Sequence, residues 1–224
     1  MVEPTKAGQF EEGVAAFERS DFLTAMQLLL PLADGGDSNA QAFEGQMYEN
    51  GLGVQQDFVQ AVKWYRLAAD QGNILGQCGL GMMFERGQEG VPQNNSEAVK
   101  WIGLAAVQGL PKCEAHLGWH YENGLGVQQN FAEAAKWYRL ASDQGNSDGE
   151  GLLGGLYATG NGVPKDLVQA HMWLNLSIAG SNSEENAFRT FLVDERNKIA
   201  KEMTPAQITE AQNRAREWQE AHQK

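Results

Sequence analysis

The chain has 224 residues, of which 42% are hydrophobic, and a formal net charge of −12 with a sequence pI near 4.8. It is long enough for one full core or a short array of repeats. The acidic balance shows no basic patch of the kind that binds nucleic acid, and no apolar run approaches the ~20 residues that cross a bilayer. An acidic surface instead suits a neutral or basic partner.

Taken in chain order, the opening "MVEPTKAGQF" lacks the charged-then-apolar layout of a signal peptide. Its abrupt start is equally that of a chain whose export signal has been replaced by Met1. A helix pair is predicted next, over about 7–19 and 21–34, with Phe10, Phe17, Phe22, Leu28 and Leu29 inward and Asp21 capping the second helix. These residues form the N-terminal segment 1–38.

A period then takes over. Trp64, Trp101, Trp137 and Trp173 stand 37, 36 and 36 residues apart. Val54, Val91, Val127 and Val163 keep the same spacing, as do Ala61, Ala98, Ala134 and Ala170. The nonapeptide "YENGLGVQQ" begins at Tyr48 and again at Tyr121. The units are 39–72, 73–109, 110–145 and 146–180, and the second carries one extra residue in "RGQEGVPQNN". Each unit reads as two helices. In the first, "NAQAFEGQMYEN" is a helix, "GLGVQQ" breaks it, and "DFVQAVKWYRLAADQG" restarts it from Asp57 as N-cap, with Gly72 as the predicted C-cap. Gly45, Gly81, Gly118 and Gly154 sit where two helices approach closely. No segment alternates with period two, so no sheet is expected.

After the repeats, segment 181–224 reads as two capping helices. One runs over about 184–202, with the Glu184–Glu185 pair in its first turn. The other starts at "TPAQ", where Thr204 is N-cap, Pro205 is the first helical residue and Gln207 completes a capping box. Ile208, Ala211, Ala215 and Trp218 give it one apolar face.

The pattern "LG..Y..G.GV..D...A..WY..AA.QG" resembles the Sel-1-like repeat, a relative of the tetratricopeptide repeat. The third unit carries it through Leu117, Gly118, Tyr121, Gly124, Gly126, Val127, Ala134, Trp137, Tyr138, Ala141, Gln144 and Gly145. Departures are Glu44 for leucine in the first unit, and Phe84 and Ile102 in the second. The fourth has Leu174 after the tryptophan, and "AG" where "QG" is usual. None is expected to threaten the fold. "AHMWLNLSIAG" and "MTPAQITEAQ" resemble the tails of bacterial members. The resemblance implies an all-α, right-handed α/α superhelix, a solenoid of antiparallel helix pairs forming a single repeat domain. It also implies a non-enzymatic protein–protein interaction module without a cofactor. An adaptor or scaffold is the first expectation. A periplasmic immunity protein that blocks a secreted effector, and a binder of a small envelope-derived ligand, are alternatives. The resemblance and the abrupt N-terminus favour a periplasmic or secreted location, with the cytoplasm as alternative.

Residues that suggest chemistry have plainer readings beside them. "GLGV" lies between helices and lacks the strand and the Lys-Ser/Thr of a phosphate loop. His116 and His120 are one turn apart on a helix and could share a metal in a metal-dependent enzyme. The other units place Phe43 and Met47, Gly79 and Met83, and Leu152 and Leu156 at those positions, which reads as packing. Cys78 and Cys113 match no zinc or C-x-x-C spacing; a disulfide is open to an exported chain, and two small buried thiols are the plainer reading. No nucleophile motif is present. The repeated tryptophans read as stacking residues, so Trp137→Ala is expected to unfold the array.

Function is expected where the units differ. By analogy with tetratricopeptide arrays, the first helix of each unit lines a concave groove. Its register rows are Gln46, Met82, Trp119 and Gly155; Glu49, Glu85, Glu122 and Ala158; Asn50, Arg86, Asn123 and Thr159; and Asn39, Leu75, Lys112 and Asp148. Asn50 and Asn123 could clamp an extended backbone, since an amide both donates and accepts. Glu49, Glu85 and Glu122 form an acidic ladder for Lys or Arg of a partner protein. Trp119 and Met82 are the expected apolar anchors.

Overall fold

The structure, a computed structural model, describes residues 5–181 and 187–222. Twelve helices and no strand occur among the described residues. They gather into two compact units, Met1–Gln108 and Gly109–Lys224.

The first unit holds α1 (Lys6–Glu18), α2 (Phe22–Asp34), α3 (Ser38–Asn50), α4 (Phe58–Asp70), α5 (Ile74–Arg86) and α6 (Asn95–Val107). Each helix packs on the next, and α3 also touches α5, so first helices of successive repeats lie side by side. The second unit holds α7 (Pro111–Asn123), α8 (Phe131–Asp143), α9 (Ser147–Thr159), α10 (Leu167–Gly180), α11 (Ala187–Ala200) and α12 (Pro205–His222). It repeats the pattern, α7 touching α9, and α11 and α12 close over α10. The described part of the helix predicted over about 184–202 is α11, and Glu184–Glu185 lie outside the described residues.

The caps follow the sequence signals. Asp21 accepts from the Thr24 N–H, Asp57 from those of Val59 and Gln60, and Asp166 from those of Val168 and Gln169. Thr204 and Gln207 form the reciprocal box, with bonds of 2.9 and 3.3 Å. One detail differs: Gln71 is the C-cap of α4, and Gly72 follows it with φ 82°.

The repeated nonapeptide builds shape. Gly51 and Gly124 end α3 and α7 in the left-handed region, with φ 67° at each. The chain then turns back so that the capping residue of the next helix donates its N–H to an aromatic residue's carbonyl. Asp57 bonds Tyr48 at 3.0 Å, Asn94 bonds Phe84 at 2.9 Å, Asn130 bonds Tyr121 at 2.8 Å and Asp166 bonds Tyr157 at 3.0 Å. The extra residue of the second repeat is absorbed by a local antiparallel bridge, in which Gln88 and Val91 exchange two bonds of 2.8 Å.

Helix pairing within a repeat depends on the "LG" glycine. A Cβ at Gly118 would lie 2.6 Å from the ring of Tyr138, which is fully buried and cannot yield. The terminal glutamine then ties the pair: Gln71 donates to Gln41 at 2.7 Å, Gln108 to Gln77 at 2.7 Å and Gln144 to Glu114 at 2.8 Å. In the fourth repeat that register falls on Gly180, and the Ser177 hydroxyl bonds the Ser147 carbonyl at 2.6 Å instead. Glu150, the counterpart of Glu114, is left buried without that amide, and burial pushes its carboxyl up to about 7.

Three of the four repeated tryptophans are core residues: Trp64, Trp101 and Trp173 are buried. Trp137 is only half-buried. Its replacement by alanine therefore removes less core than the repeat register implies. Both cysteines are buried, Cys78 in α5 and Cys113 in α7, and neither is a free thiol.

Gly118→Ala should destabilise the second unit by roughly 1–3 kcal/mol through overpacking. Gly155→Ala, also in a first helix but with nothing within 4 Å of the added carbon, should be neutral or stabilising by up to about 1 kcal/mol. Urea melts of the two variants check this; equal losses would rule out the close-approach role of Gly118.

Candidate functional site

In the first unit the outward face of α3 and α5 carries Asn39, Gln46, Asn50, Leu75 and Arg86, all exposed, with Glu49 and Glu85 half-buried. Met82 lies at 6% exposure and is a core residue, not an apolar anchor. Its position sits nearer the helix interface than the register row suggests. In the second unit Lys112, Trp119, Asn123, Asp148, Gly155 and Thr159 are exposed, and Glu122 is half-buried. Trp119 keeps 36% of its surface in solvent.

The acidic row is not a free ladder. The Tyr65 hydroxyl donates to Glu49 Oε2 at 2.7 Å, and the Arg86 guanidinium donates to Glu49 Oε1 at 3.1 Å. The Tyr138 hydroxyl donates to Glu122 Oε2 at 2.6 Å. Burial, reinforced by the accepting carboxylate, raises both tyrosines well above the usual phenol range, so each remains a proton donor. Arg86 partly counteracts this at Tyr65. Glu85 faces a different situation, since Ile102 stands where the tyrosine would be.

Asn50 and Asn123 also differ from expectation. Each donates its side-chain amide to a carbonyl one turn back, Gln46 and Trp119 respectively, at 2.9 Å. Each amide thus spends one of its two N–H donors on its own helix. Asn39 accepts from Asn73 at 2.8 Å, linking successive helix starts.

His116 and His120 do not act as a matched pair. His120 is fully buried and its Nδ1–H donates to the Leu125 carbonyl at 2.8 Å, fastening the helix to the glycine turn. His116 is half-buried. Among the described residues no group of three or more His, Cys, Asp or Glu side chains could hold a metal. At the first glycine turn the N–H groups of Gly51 and Leu52 both bond the Met47 carbonyl.

Sequence reasoning missed the tyrosines as parts of this face, treating them as packing. A signal was present: glutamate and tyrosine occur together sixteen residues apart in the first and third repeats, Glu49 with Tyr65 and Glu122 with Tyr138.

The architecture and this side-chain set define a helical-repeat protein whose variable chemistry lies on one helix face. A family model for the Sel1 repeat matches residues 38–73, 74–110, 111–146 and 148–182. The chain belongs to the Sel1 repeat family. It is similar to a Sel1 repeat protein from Oxalobacter formigenes, at 30% identity and TM-score 0.71, covering 85% of this chain and 82% of that one. It is also similar to c5321, a protective antigen of uropathogenic Escherichia coli with an SLR fold, at 27% identity and TM-score 0.61, covering 97% of this chain and 54% of that one. A Sel1 repeat protein from Klebsiella pneumoniae shares the fold at 18% identity and TM-score 0.57, covering 88% and 94%. Comparison with curated proteins gives no match. Sel1 repeat proteins are in general protein-interaction scaffolds, and the fold is typically non-enzymatic. No helix among the described residues is long and apolar enough to cross a membrane.

Proposed function

We propose that this protein is an adaptor that holds a segment of a partner protein on the first-helix faces of its repeats. The observation that carries the reading is Trp119. It is an indole more than a third exposed on a helix face. The same register holds glutamine, methionine and glycine in the other repeats. A large aromatic that the repeat register does not require and that stays partly exposed is a typical binding anchor. The surrounding Glu122, Asn123 and Lys112 supply a polar rim. Together with the family's general role, this favours binding over catalysis.

The test uses the purified chain as bait against lysate and envelope fraction of the source organism, read by mass spectrometry. A bait carrying Trp119→Ala and Glu122→Lys serves as control. One dominant protein captured by the first bait and lost from the second supports the reading. Its identity separates a scaffold from an inhibitor of a secreted effector. With that partner in hand, Trp119→Ala should weaken binding by about 2 kcal/mol or more and leave thermal stability nearly unchanged. Equal capture by both baits, or a Trp119→Ala variant that binds normally, would overturn it.

A further inference from the structure

We infer that the Glu122–Tyr138 pair of the second unit is a receptor for a guanidinium group, an arginine side chain presented by the partner. The inference rests on reading the first-helix face as a protein-binding surface, and it names what that surface recognises.

The first unit shows the occupied form of the same site. Glu49 and Glu122 both stand four residues after an "LG" glycine, Gly45 and Gly118. Each carboxylate takes a hydroxyl bond on Oε2 from the tyrosine that packs on that glycine, at 2.7 and 2.6 Å. In the first unit, Oε1 of Glu49 is filled by Arg86, which comes from the following repeat. The counterpart of Arg86 in the second unit is Thr159, five residues after Gly154 as Arg86 is after Gly81. Thr159 cannot fill that place: its hydroxyl donates back to the Gly155 carbonyl at 3.1 Å. Among the described residues, Glu122 is therefore a half-buried carboxylate with one oxygen held by a tyrosine and no cation paired with it.

Two neighbours suit the same guest. Trp119 lies one turn before Glu122 on the same face of α7, where an indole can carry a guanidinium over its ring. Gly155, on the adjacent α9, leaves open space where a side chain would otherwise stand. A planar guanidinium can donate to a carboxylate and lie on an aromatic face together, which an ammonium does less well.

The experiment titrates N-acetyl-arginine amide into the isotopically labelled full chain and follows amide and indole signals by NMR. N-acetyl-citrulline amide is the neutral control of the same shape. The arginine probe should move the Glu122, Gly155 and Trp119 indole signals, and citrulline should bind at least about tenfold more weakly. Glu122→Gln should cut arginine affinity by about tenfold or more, and Thr159→Arg, which fills the place from within, should abolish the shifts. Arg86→Thr should open a second site, with new shifts at Glu49. No shift at Glu122 up to about 100 mM probe, equal binding of citrulline, or shifts that survive both Glu122→Gln and Thr159→Arg would each overturn the inference. If a Trp119-dependent partner binds both of those variants as well as wild type, the binding face stands and the arginine assignment falls. If the probe binds as expected but no Trp119-dependent partner exists, the guanidinium site stands and the adaptor reading falls.

Discussion

Glu44→Leu should stabilise the first unit by about 3 kcal/mol at pH 8, and most of that gain should vanish near pH 4. Glu44 occupies the "LG" leucine position that Leu80, Leu117 and Leu153 fill in the other repeats. It is fully buried, and neither carboxylate oxygen has a hydrogen-bond partner. Burial, with Asp34 nearby adding like-charge repulsion, raises its carboxyl from 4.5 to about 7. The folded state thus holds the proton more tightly than the unfolded chain. Below the unfolded value both states are protonated and nothing is lost. As pH climbs from 4.5 through 7 the unfolded chain ionises freely while the buried group resists, so stability falls. Leucine removes the penalty and restores apolar packing. Glu150, also raised to about 7, keeps its own pH dependence in the second unit. The difference between wild type and variant across pH isolates Glu44. Urea midpoints at several pH values check this, and a Glu44→Leu gain independent of pH would show that the carboxyl is not the cause.

Trp173→Ala should cost about 3–5 kcal/mol and unfold much of the second unit, whereas Trp137→Ala should cost at most about 2. Trp173 is 1% exposed in a core with Tyr138, Leu153, Leu156, Leu174 and Leu192. Trp218 of the closing helix meets it edge-on at 5.7 Å, and Arg139 lies 4.9 Å from its ring centre. Its indole N–H is buried without an acceptor, so Trp173→Phe should cost much less than alanine, since it also removes an unpaired donor. Trp137 shares the register yet is half-buried, and it lacks that surrounding core. Denaturant melts of the three variants decide. Equal losses for Trp137→Ala and Trp173→Ala would mean that repeat register, not burial, sets the cost.

Much of the fold was legible because its signals are local. A glycine with positive φ, an Asp or Thr before an apolar period, and a tryptophan at a fixed interval each act within one or two turns of chain. Helix ends at Asn50 and Asn123 and caps at Asp21, Asp57 and Thr204 follow from that alone. The candidate face was legible in part. Trp119, Lys112 and Arg86 are exposed as expected, while Met82 turns inward and Asn50 and Asn123 cap their own helices. Register assigns a residue to a side of a helix but not to solvent or interface, since that boundary depends on the size of its neighbours.

By itself the sequence determined the all-helical class, the four repeats and the family they belong to, since a 36-residue period with fixed glycines has few other solutions. Only the tertiary structure decided which equal positions are unequal. Glu150 lacks the glutamine that bonds its counterpart Glu114, and Glu122 is a carboxylate whose counterpart Glu49 has an arginine. Each difference is made by a residue about 30 to 37 positions away, brought into contact by stacking. A period in sequence records that the repeats are alike. What a given side chain touches is set by the neighbouring helix, and there the repeats differ.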